Sequence, residues 1–578
     1  MAVENLITEH IDIWTSAVKT KSASGRGSNK KLELYGVKKL RELILELAVR
    51  GKLVPQDPND EPASLLLERI AAEKAQLVKE KKIKKPKTLP PINDSKPFQI
   101  PNNWGWSQLG FLTNYGVCDK LEPKDASPST WVLELEDVEK YTSRLLKKVR
   151  FEERVFKSTK NSFQKSDVIY GKLRPYLDKV LVADEDGACT TEMIPIRGYI
   201  GLMPEFIRLV LKTPYFIEYA NTSTHGMNLP RMGTDKARAA LFPLAPLNEQ
   251  RRIVTKVDEL MVLCDQLEQQ TEASIEAHQV LVTTLLDTLT SSANADELMQ
   301  NWARISEHFD TLFSTEESID QLKQTILQLA VMGKLVPQDP SDEPAAELLK
   351  RIAEEKAQLV KDKKIKKQKA LPPISEDEKP FELPSGWEWS KLQDLCFKIT
   401  DGEHSTPKRA ETGHYLLSAR NVTNEGIILG DVDYVPDYEF ARIRNRCDPN
   451  LGDILISCSG SVGRVALVDR DNAYSMVRSA AMIRPCNTNL IKEYLALMLR
   501  SPYLQFQMKN RSKQSAQANL FLGAISNLVG VIPPLSEQER IVSKVSQLLV
   551  ICDQLKSHLN DSRVTQLHLT DTIVEQVV

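Results

Sequence analysis

The segment YGKLRPYLDK at 170–179 concentrates cationic and aromatic side chains. Lys172, Arg174, Tyr176 and Lys179 follow a short β-branched run, which predicts a strand that leads into a turn. This mixture suits contacts with phosphate oxygens and with base edges of a nucleic acid. A surface turn without a ligand fits the segment equally well, so both interpretations stay open at this stage.

A second segment, ISCSGSVGR at 456–464, occupies the corresponding place in the second half of the chain. Its small residues allow another backbone to approach closely, and Ser459, Ser461 and Arg464 can donate hydrogen bonds. It keeps the position of the first segment while its side chains differ. Duplicated domains that hold one fold and change their reading residues would show this pattern.

Other side chains complete the set of candidate DNA-binding residues. Asn228 and Asn519 lie in short segments, THGMNL and AQANL, where an amide could pair bidentately with adenine. We place the two asparagines in comparable positions of the two halves. The remaining candidates are Arg231, His404, Ser405 and Thr406.

The motifs that usually mark an enzyme are missing from the sequence. Each of its three Gly-Lys pairs is followed by Leu, so none forms a P-loop. There is no dinucleotide or methyl-donor fingerprint, no Asn-Pro-Pro-aromatic tetrapeptide, no HExxH and no GxSxG. The eight cysteines are dispersed without a CxxC pair, which argues against a zinc site. The sequence therefore predicts a chain with no catalytic residues, no metal site and no cofactor of its own.

Charge is balanced over the chain and concentrated locally. Lys and Arg number 76 against 78 Asp and Glu, so no overall basic excess indicates a polyanionic partner. The densest positive charge lies in two lysine runs, KEKKIKKPK at 79–87 and KDKKIKKQK at 361–369. Each run is either a solvated helix end or a contact with DNA phosphates or with an acidic partner.

An internal repeat organises the chain. LAVRGKLVPQD at 47–57 matches LAVMGKLVPQD at 329–339, and the match continues for another 35 residues at the same offset. A second matched block pairs 246–267 with 534–555, whereas the middles between the blocks have diverged. The predicted regions are an N-terminal helical region 1–106, a first variable domain 107–245, a central region 246–389, a second variable domain 390–533 and a C-terminal helix 534–578.

Periodicity predicts the elements that position the candidate residues. In the second matched block, Ile253, Val257, Leu260, Cys264 and Leu267 recur at steps of four and three, and the later copy repeats the spacing. Such a seam favours coiled-coil packing, with an ordinary amphipathic core helix as the alternative. The variable middles, with β-branched runs broken by Gly, Asp and Asn, read as mixed α/β domains.

Some polar residues of the first block are unchanged in its second copy, which leads to an expectation about partners. Gln56 and Asp57 recur as Gln338 and Asp339, although packing alone requires only apolar volume. We therefore expect the two copies to form near-equivalent docking surfaces for two copies of one partner. The tryptophan pairs 104/106 and 387/389, at the start of each variable domain, are expected to be core anchors, with stacking platforms as the alternative.

The GKLVPQDPxDEPA block, the LPxxWxW entry to each variable domain and the PLxEQxRIVxKV block resemble the specificity subunits of type I restriction–modification systems. The resemblance covers essentially the whole chain. It implies two target recognition domains, each reading one half of a split, asymmetric DNA sequence. It also implies a pseudo-twofold α/β fold in which long helices form an antiparallel coiled coil. The SASGRGSNK segment at 22–30 is extra in the first half and is expected to be a surface loop.

The resemblance implies partners as well. They are double-stranded DNA, two modification subunits and the restriction subunits, with S-adenosylmethionine, ATP and Mg²⁺ on those subunits. We expect a cytoplasmic protein, since the sequence shows neither a membrane span nor an export signal. Two alternatives remain: a stand-alone methyltransferase or nuclease with degenerate motifs, and a coiled-coil adaptor with no role on DNA.

Overall fold

In a computed structural model, residues 3–21, 31–93, 96–226, 229–486, 490–514 and 518–578 are described. The chain divides into two compact units, one formed by Met1–Ser274 with Ser562–Val578 and the other by Ile275–Asp561. The division cuts two long helices, so each unit takes chain from both. The extra segment 22–30 lies outside the described residues.

The first unit contains the following helices: α1 (Val3–Glu9), α2 (Ile11–Ser16), α3 (Tyr35–Val49), α4 (Ala63–Lys79), α5 (Leu109–Leu112), α6 (Pro204–Leu211), α7 (Pro214–Thr222) and α8 (Thr234–Ala239). Its strands are β1 (Val18–Lys21), β2 (Lys31–Leu34), β3 (Gly105–Gln108), β4 (Lys120–Leu121), β5 (Trp131–Leu133), β6 (Lys160–Phe163), β7 (Val168–Gly171), β8 (Val180–Val182), β9 (Gly187–Cys189), β10 (Met193–Ile196), β11 (Thr224–His225), β12 (Arg231–Met232) and β13 (Leu241–Leu244). Helix α9 (Leu247–Ser291) then passes into the second unit.

The second unit contains these helices: α10 (Ala295–Glu307), α11 (Phe309–Leu312), α12 (Glu316–Val331), α13 (Ala345–Lys361), α14 (Asp437–Arg444), α15 (Lys492–Arg500), α16 (Pro502–Arg511) and α17 (Leu522–Ser526). Its strands are β14 (Glu388–Lys391), β15 (Cys396–Asp401), β16 (His414–Leu417), β17 (Val422–Thr423), β18 (Gly426–Ile427), β19 (Asp433–Val435), β20 (Ile454–Ser457), β21 (Val465–Leu467), β22 (Tyr474–Met476), β23 (Ala480–Pro485), β24 (Lys513–Gln514), β25 (Ala518–Asn519) and β26 (Val529–Ile532). Helix α18 (Leu535–Val577) passes back into the first unit.

The first copy of the repeated block spans the end of α3 and all of α4. α3 buries Leu40, Leu43 and Ile44 and ends where Gly51 takes a left-handed backbone, with φ of +68°. α4 begins directly after a proline and buries Leu66 and Ile70, whereas Leu65 is exposed. The α/β class is confirmed by the mixture of helices and sheets in both units.

The two variable domains share one strand plan. In the first, β7 lies between β10 and β8, and β5 runs parallel to β9. In the second, β20 lies between β23 and β21, and β16 runs parallel to β22. Each domain is closed at its neck by an antiparallel ladder between its entry and exit strands, β3 with β13 and β14 with β26. Both chain ends of a variable domain therefore leave it side by side.

The long helices run antiparallel within the second unit. α12 forms side-chain contacts with both of them. Along α12, the contacted residue numbers rise in α9 and fall in α18, so the two long helices run in opposite directions. The cross-helix pairs are Gln279–Glu317 (2.7 Å), Thr283–Gln321 (3.2 Å), Asp320–Lys556 (2.6 Å) and Lys323–Asp553. Of the seam residues of α18, Ile541, Val545 and Cys552 are buried with apolar residues of α12 and α9, and Leu548 and Leu555 pack against them partly buried. The seam thus packs in a bundle that includes α12, the helix that leads into the repeated block, which the spacing alone did not indicate.

A buried glutamate ties the matched blocks together at each neck. In the first unit Glu249, in the first turn of α9, accepts hydrogen bonds from the Trp104 indole (2.9 Å) and from the Gln56 amide. We call this arrangement the glutamate clamp. The second unit repeats it with Glu537, Trp387 (2.9 Å) and Gln338 (2.7 Å). Trp104 and Trp387 are buried core anchors, as predicted, whereas Trp106 and Trp389 are only half-buried.

The clamp corrects one step of the sequence reasoning. Gln56 and Gln338 are retained because each bonds to the clamp glutamate of its own unit. Asp57 and Asp339 accept hydrogen bonds from backbone amides two residues further on, which stabilise a tight turn. Internal bonding therefore explains why these polar residues match, and they do not by themselves indicate a docked partner.

We expect Glu249→Gln to lower the free energy of unfolding by about 1–3 kcal/mol, because an amide accepts through one oxygen and would leave a buried donor unpaired.

The stability of the clamps should also depend on pH. Burial raises the pKa of Glu249 and of Glu537, although the hydrogen bonds that they accept act in the opposite direction. The folded state then binds more protons near that pKa, so the clamps lose stability as pH rises through it. Urea unfolding over a pH series measures both effects.

The matched control is Glu259→Gln, an exposed position on the same helix. It should change the free energy of unfolding by less than about 0.5 kcal/mol. Equal losses in the two variants would mean that the clamp contributes nothing specific.

Candidate nucleic-acid interface

In the first variable domain the loop after β7 lies against the hairpin of β11 and β12. The Lys172 amide donates to the Glu192 carbonyl (3.0 Å), and the Met232 amide donates to the Lys172 carbonyl (3.0 Å). Further along, the Arg174 amide donates to the Pro230 carbonyl (2.7 Å). The loop and the hairpin therefore form one surface, held by backbone bonds that do not depend on side-chain identity.

The loop contains a tight turn with left-handed backbone at both ends. Arg174 and Asp178 have φ of +52° and +49° and bracket a 3-10 turn, Pro175–Leu177. Tyr176 lies in this turn and is 43% exposed. Asp178 is buried beneath it and pairs with Lys212 (2.5 Å); burial raises the pKa of Asp178 to about 6. A buried pair and two left-handed residues thus fix the direction of the turn.

The remaining first-domain candidates fall into three situations. Arg231 lies on β12, exposed, with its guanidinium 2.9 Å from Glu192. Lys179 turns inward, since its ammonium donates to the Leu135 carbonyl (2.7 Å) and burial lowers its pKa. Asn228 lies outside the described residues. The structure thus brings together Lys172, Arg174, Tyr176 and Arg231 and separates Lys179 from them.

The second variable domain repeats this arrangement. The Cys458 amide donates to the Ser479 carbonyl (2.7 Å), and the Leu520 amide donates to the Cys458 carbonyl (2.8 Å). Ser459 then pairs with Asn519 on β25 in an antiparallel bridge. The loop after β20 therefore lies against the hairpin of β24 and β25, as the loop after β7 lies against its own hairpin.

Equivalent β-bridges show which residues of the two variable domains correspond. Leu173 bridges Arg231 in the first domain, and Ser459 bridges Asn519 in the second. The counterpart of Asn519 is therefore Arg231, and the expected equivalence of Asn228 with Asn519 is wrong. Their segments look alike in sequence, but the strand register shifts the alignment by three positions.

Glycines and a buried hydroxyl shape the second loop. Gly460 and Gly463 have positive φ, so the chain turns tightly around the exposed Ser461. The Ser457 hydroxyl accepts from the Arg464 amide (2.9 Å) and donates to the Ser461 carbonyl. Arg464 is half-buried, and its Nε has no hydrogen-bond partner among the described residues.

A further loop, 402–410, joins the second surface. The Arg478 amide donates to the Glu403 carbonyl (3.0 Å), and the next residue, Ser479, bonds to Cys458. His404, Ser405 and Thr406 are exposed on this loop. All described second-domain candidates therefore lie on connected segments.

Ion pairs hold this loop in place. Asp401 contacts both the His404 imidazole (2.7 Å) and the Arg446 guanidinium (2.5 Å). Partial burial opposes ionisation of Asp401, but the hydrogen bonds from Arg446 and His404 outweigh it and lower its pKa. Ser405 donates to Glu403 through its hydroxyl (2.6 Å). His404 and Ser405 are thus exposed on this loop, and one hydrogen-bonding group of each is already bonded within the protein.

Sequence reasoning missed Arg478. It follows β22, is exposed, and lies between the 402–410 loop and the loop after β20. No ion pair engages its guanidinium within the described ranges. Nothing in its local sequence singles it out, because the parallel pairing of β16 with β22 brings it there. Across the same described ranges, no cluster of three or more His, Cys, Asp or Glu side chains could hold a metal ion.

Comparison with known proteins decides the family. The family model described as the type I restriction modification DNA specificity domain matches residues 384–562. The specificity subunit of the Escherichia coli type I restriction enzyme EcoAI is 41% identical over the full length of both chains. The chain belongs to the type I restriction enzyme specificity subunits. The EcoEI specificity subunit of Escherichia coli is 42% identical over all of this chain and 99% of its own.

Solved structures support the fold of this specificity subunit. A chain from a study of complex assembly and conformational transition of the type I R-M system aligns with a TM-score of 0.53. It covers 83% of this chain and 99% of its own at 18% identity, so the likeness concerns the fold. None of the described helices combines the length and the apolar character needed to cross a bilayer.

Proposed function

We propose that this specificity subunit reads an asymmetric, two-part sequence in double-stranded DNA, one part per variable domain. The observation that carries the proposal is the pair of loop-and-hairpin surfaces. Their backbones are held by equivalent hydrogen bonds, but Leu173 and Arg231 face each other where Ser459 and Asn519 do in the second domain. One framework with two sets of side chains recognises two different base sequences.

The partners follow from the family and from duplicated surfaces. Val262 and Leu263 on α9 recur as Val550 and Ile551 on α18, and all four are about half exposed. Apolar pairs repeated outside the core favour two equivalent docking sites, which we assign to two modification subunits. Mass measurement of the purified complex should find two copies per chain. A complex that saturates at one copy would contradict this assignment.

Catalysis belongs to the partners in this proposal. The specificity subunit contributes sequence recognition and no reacting group, and the modification subunits bring S-adenosylmethionine and flip the target base. The restriction subunits bring ATP and Mg²⁺ for translocation and cutting. Incubating the isolated chain with S-adenosylmethionine and DNA should therefore leave the DNA unmethylated.

The proposal is tested by mapping methylated positions in the genome of cells that express this chain with its modification subunits. The expected result is a single motif with two unlike parts separated by a fixed gap. Its half-site centres should lie about one DNA turn apart. A palindromic motif, or methylation without sequence preference, would refute the proposal.

Arg174→Gly tests the first surface. Glycine tolerates the left-handed backbone of this position, so the change removes the guanidinium with little strain. We expect a loss of about 1–3 kcal/mol in DNA binding and relaxed selectivity in one half-site if Arg174 contacts a base edge. If it contacts phosphate, all sequences should weaken alike. Binding of the assembled complex to a panel of half-site variants distinguishes the two results.

Lys179→Met serves as the matched control, since its ammonium is turned inward. It should leave the recognised sequence unchanged. Relaxed selectivity in this variant, with none in Arg174→Gly, would show that the surface is wrongly assigned.

A further inference from the structure

The two lysine runs begin with the same backbone motif. α4 ends with Lys81 in left-handed conformation, φ +58°, and the amides of Lys81 and Lys82 donate back to the Val78 and Leu77 carbonyls. These two bonds define a Schellman motif. The end of α13 repeats them, with Lys363 (φ +59°) donating to Val360 and Lys364 donating to Leu359. We call residues 79–87 and 361–369 the lysine turns.

The left-handed position of this motif is normally glycine, because a side chain there is strained. The same chain provides the comparison. α3 and α12 end in left-handed residues too, and both use glycine, Gly51 and Gly333. α4 and α13 both have lysine instead. The strained lysine has been kept in both copies, which indicates that its side chain has a use outside the fold.

The side chains of the lysine turns point into solvent. Several of them are exposed and engaged in no ion pair within the part of the chain that the structure describes. They are Lys81, Lys84, Lys85, Lys363, Lys364, Lys366 and Lys367. A rigid turn that carries unneutralised charge in both units is a ready binding surface for an anion.

Each lysine turn is linked to the short helix that follows the recognition hairpin of its own unit. Lys87 is 3.9 Å from Asp235 on α8, the short helix directly after β12 of the first hairpin. In the second unit Gln393 donates through its side chain to the Lys369 carbonyl (2.8 Å) and through its backbone to the Ser526 carbonyl (3.2 Å). Ser526 ends α17, the short helix after β25. In both units the lysine turn is thus connected to the short helix that follows the recognition hairpin, which is α8 in the first unit and α17 in the second.

We propose that the lysine turns bind phosphates of the DNA that flanks each half-site. The inference rests on the proposed function, since it places the same DNA on a neighbouring surface. Continuity with the recognition hairpins favours DNA over an acidic protein partner. Lysines without base contacts add affinity that is independent of sequence and sensitive to salt.

The test removes the strained lysines with Lys81→Gly and Lys363→Gly in the assembled complex. Glycine suits the backbone, so the midpoint of thermal unfolding should stay constant or rise. The slope of log affinity against log salt should become shallower by about 0.9 for each phosphate that the complex no longer neutralises. The methylated motif should not change. An unchanged slope would overturn the inference.

A second variant, Lys366→Gln with Lys367→Gln, tests the charges without touching the strained position. Lys350→Gln, at the other end of α13, is the matched control and should leave the slope unaltered. If the lysine variants weaken capture of modification subunits while the DNA slope is unchanged, the turns bind protein and the inference is wrong. If the unaltered complex shows no preferred sequence, the proposed function fails instead, which is a separate readout.

Discussion

Replacing residues 109–240 with the corresponding segment of another specificity subunit is expected to change one half-site completely. The other half-site and the gap should stay as they are. The reason is the ladder between β3 and β13, which holds both ends of the first variable domain side by side. These cuts keep that ladder intact, whereas a cut at 107 would fall inside β3. Mapping methylated genomic positions reads out the new motif.

The reciprocal exchange of residues 392–528 is the control and should change only the other half-site. It leaves the β14–β26 ladder intact in the same way. If either chimera altered both half-sites, the two domains would not read independently, and the modular interpretation would be wrong.

Inserting seven residues into both long helices should lengthen the gap and preserve both half-sites. The insertions would follow Ser274 in α9 and Asp561 in α18, where each helix passes from one unit to the other. Seven residues add about 10 Å of helix and keep the heptad phase. At about 3.4 Å per base pair, the gap should grow by at most about three base pairs.

The control is the same seven-residue insertion into α9 alone, which makes the two long helices unequal in length. Both helices pass between the units, so unequal lengths should destabilise the protein or abolish methylation. A paired insertion that left the original gap in place would show that the helices do not set the spacing.

Much of the fold could be predicted from the sequence because its signals are local. The buried seam of α9 follows from the spacing of its apolar residues, and the buried Trp104 and Trp387 follow from their place at the entry to each variable domain. The repeat then doubled the evidence for each. The partner of the helical seam did not follow, because spacing shows that a face is apolar and not what covers it.

The candidate site was predicted only in part. Lys172 and Arg174 lie on the surface that the local pattern indicated, but Lys179, five residues after Arg174, turns inward to a carbonyl. Arg231 and Asn519 correspond only through strand register, which resemblance between short segments did not reveal. Arg478 reaches the surface through a parallel strand pair formed by distant segments. Such features depend on pairing across the chain, which a single sequence does not display.

The exchange of helix ends between the units has a consequence for biosynthesis. The first unit needs residues 562–578, for example for the hydrogen bond from the Tyr35 hydroxyl to Asp571 (2.6 Å). Those residues leave the ribosome 288 residues after Ser274, a delay of about 15 to 60 seconds at bacterial elongation rates. During that interval the first unit lacks the segment that accepts this hydrogen bond. The native contacts of the first unit can therefore be completed only after the second unit has been synthesised.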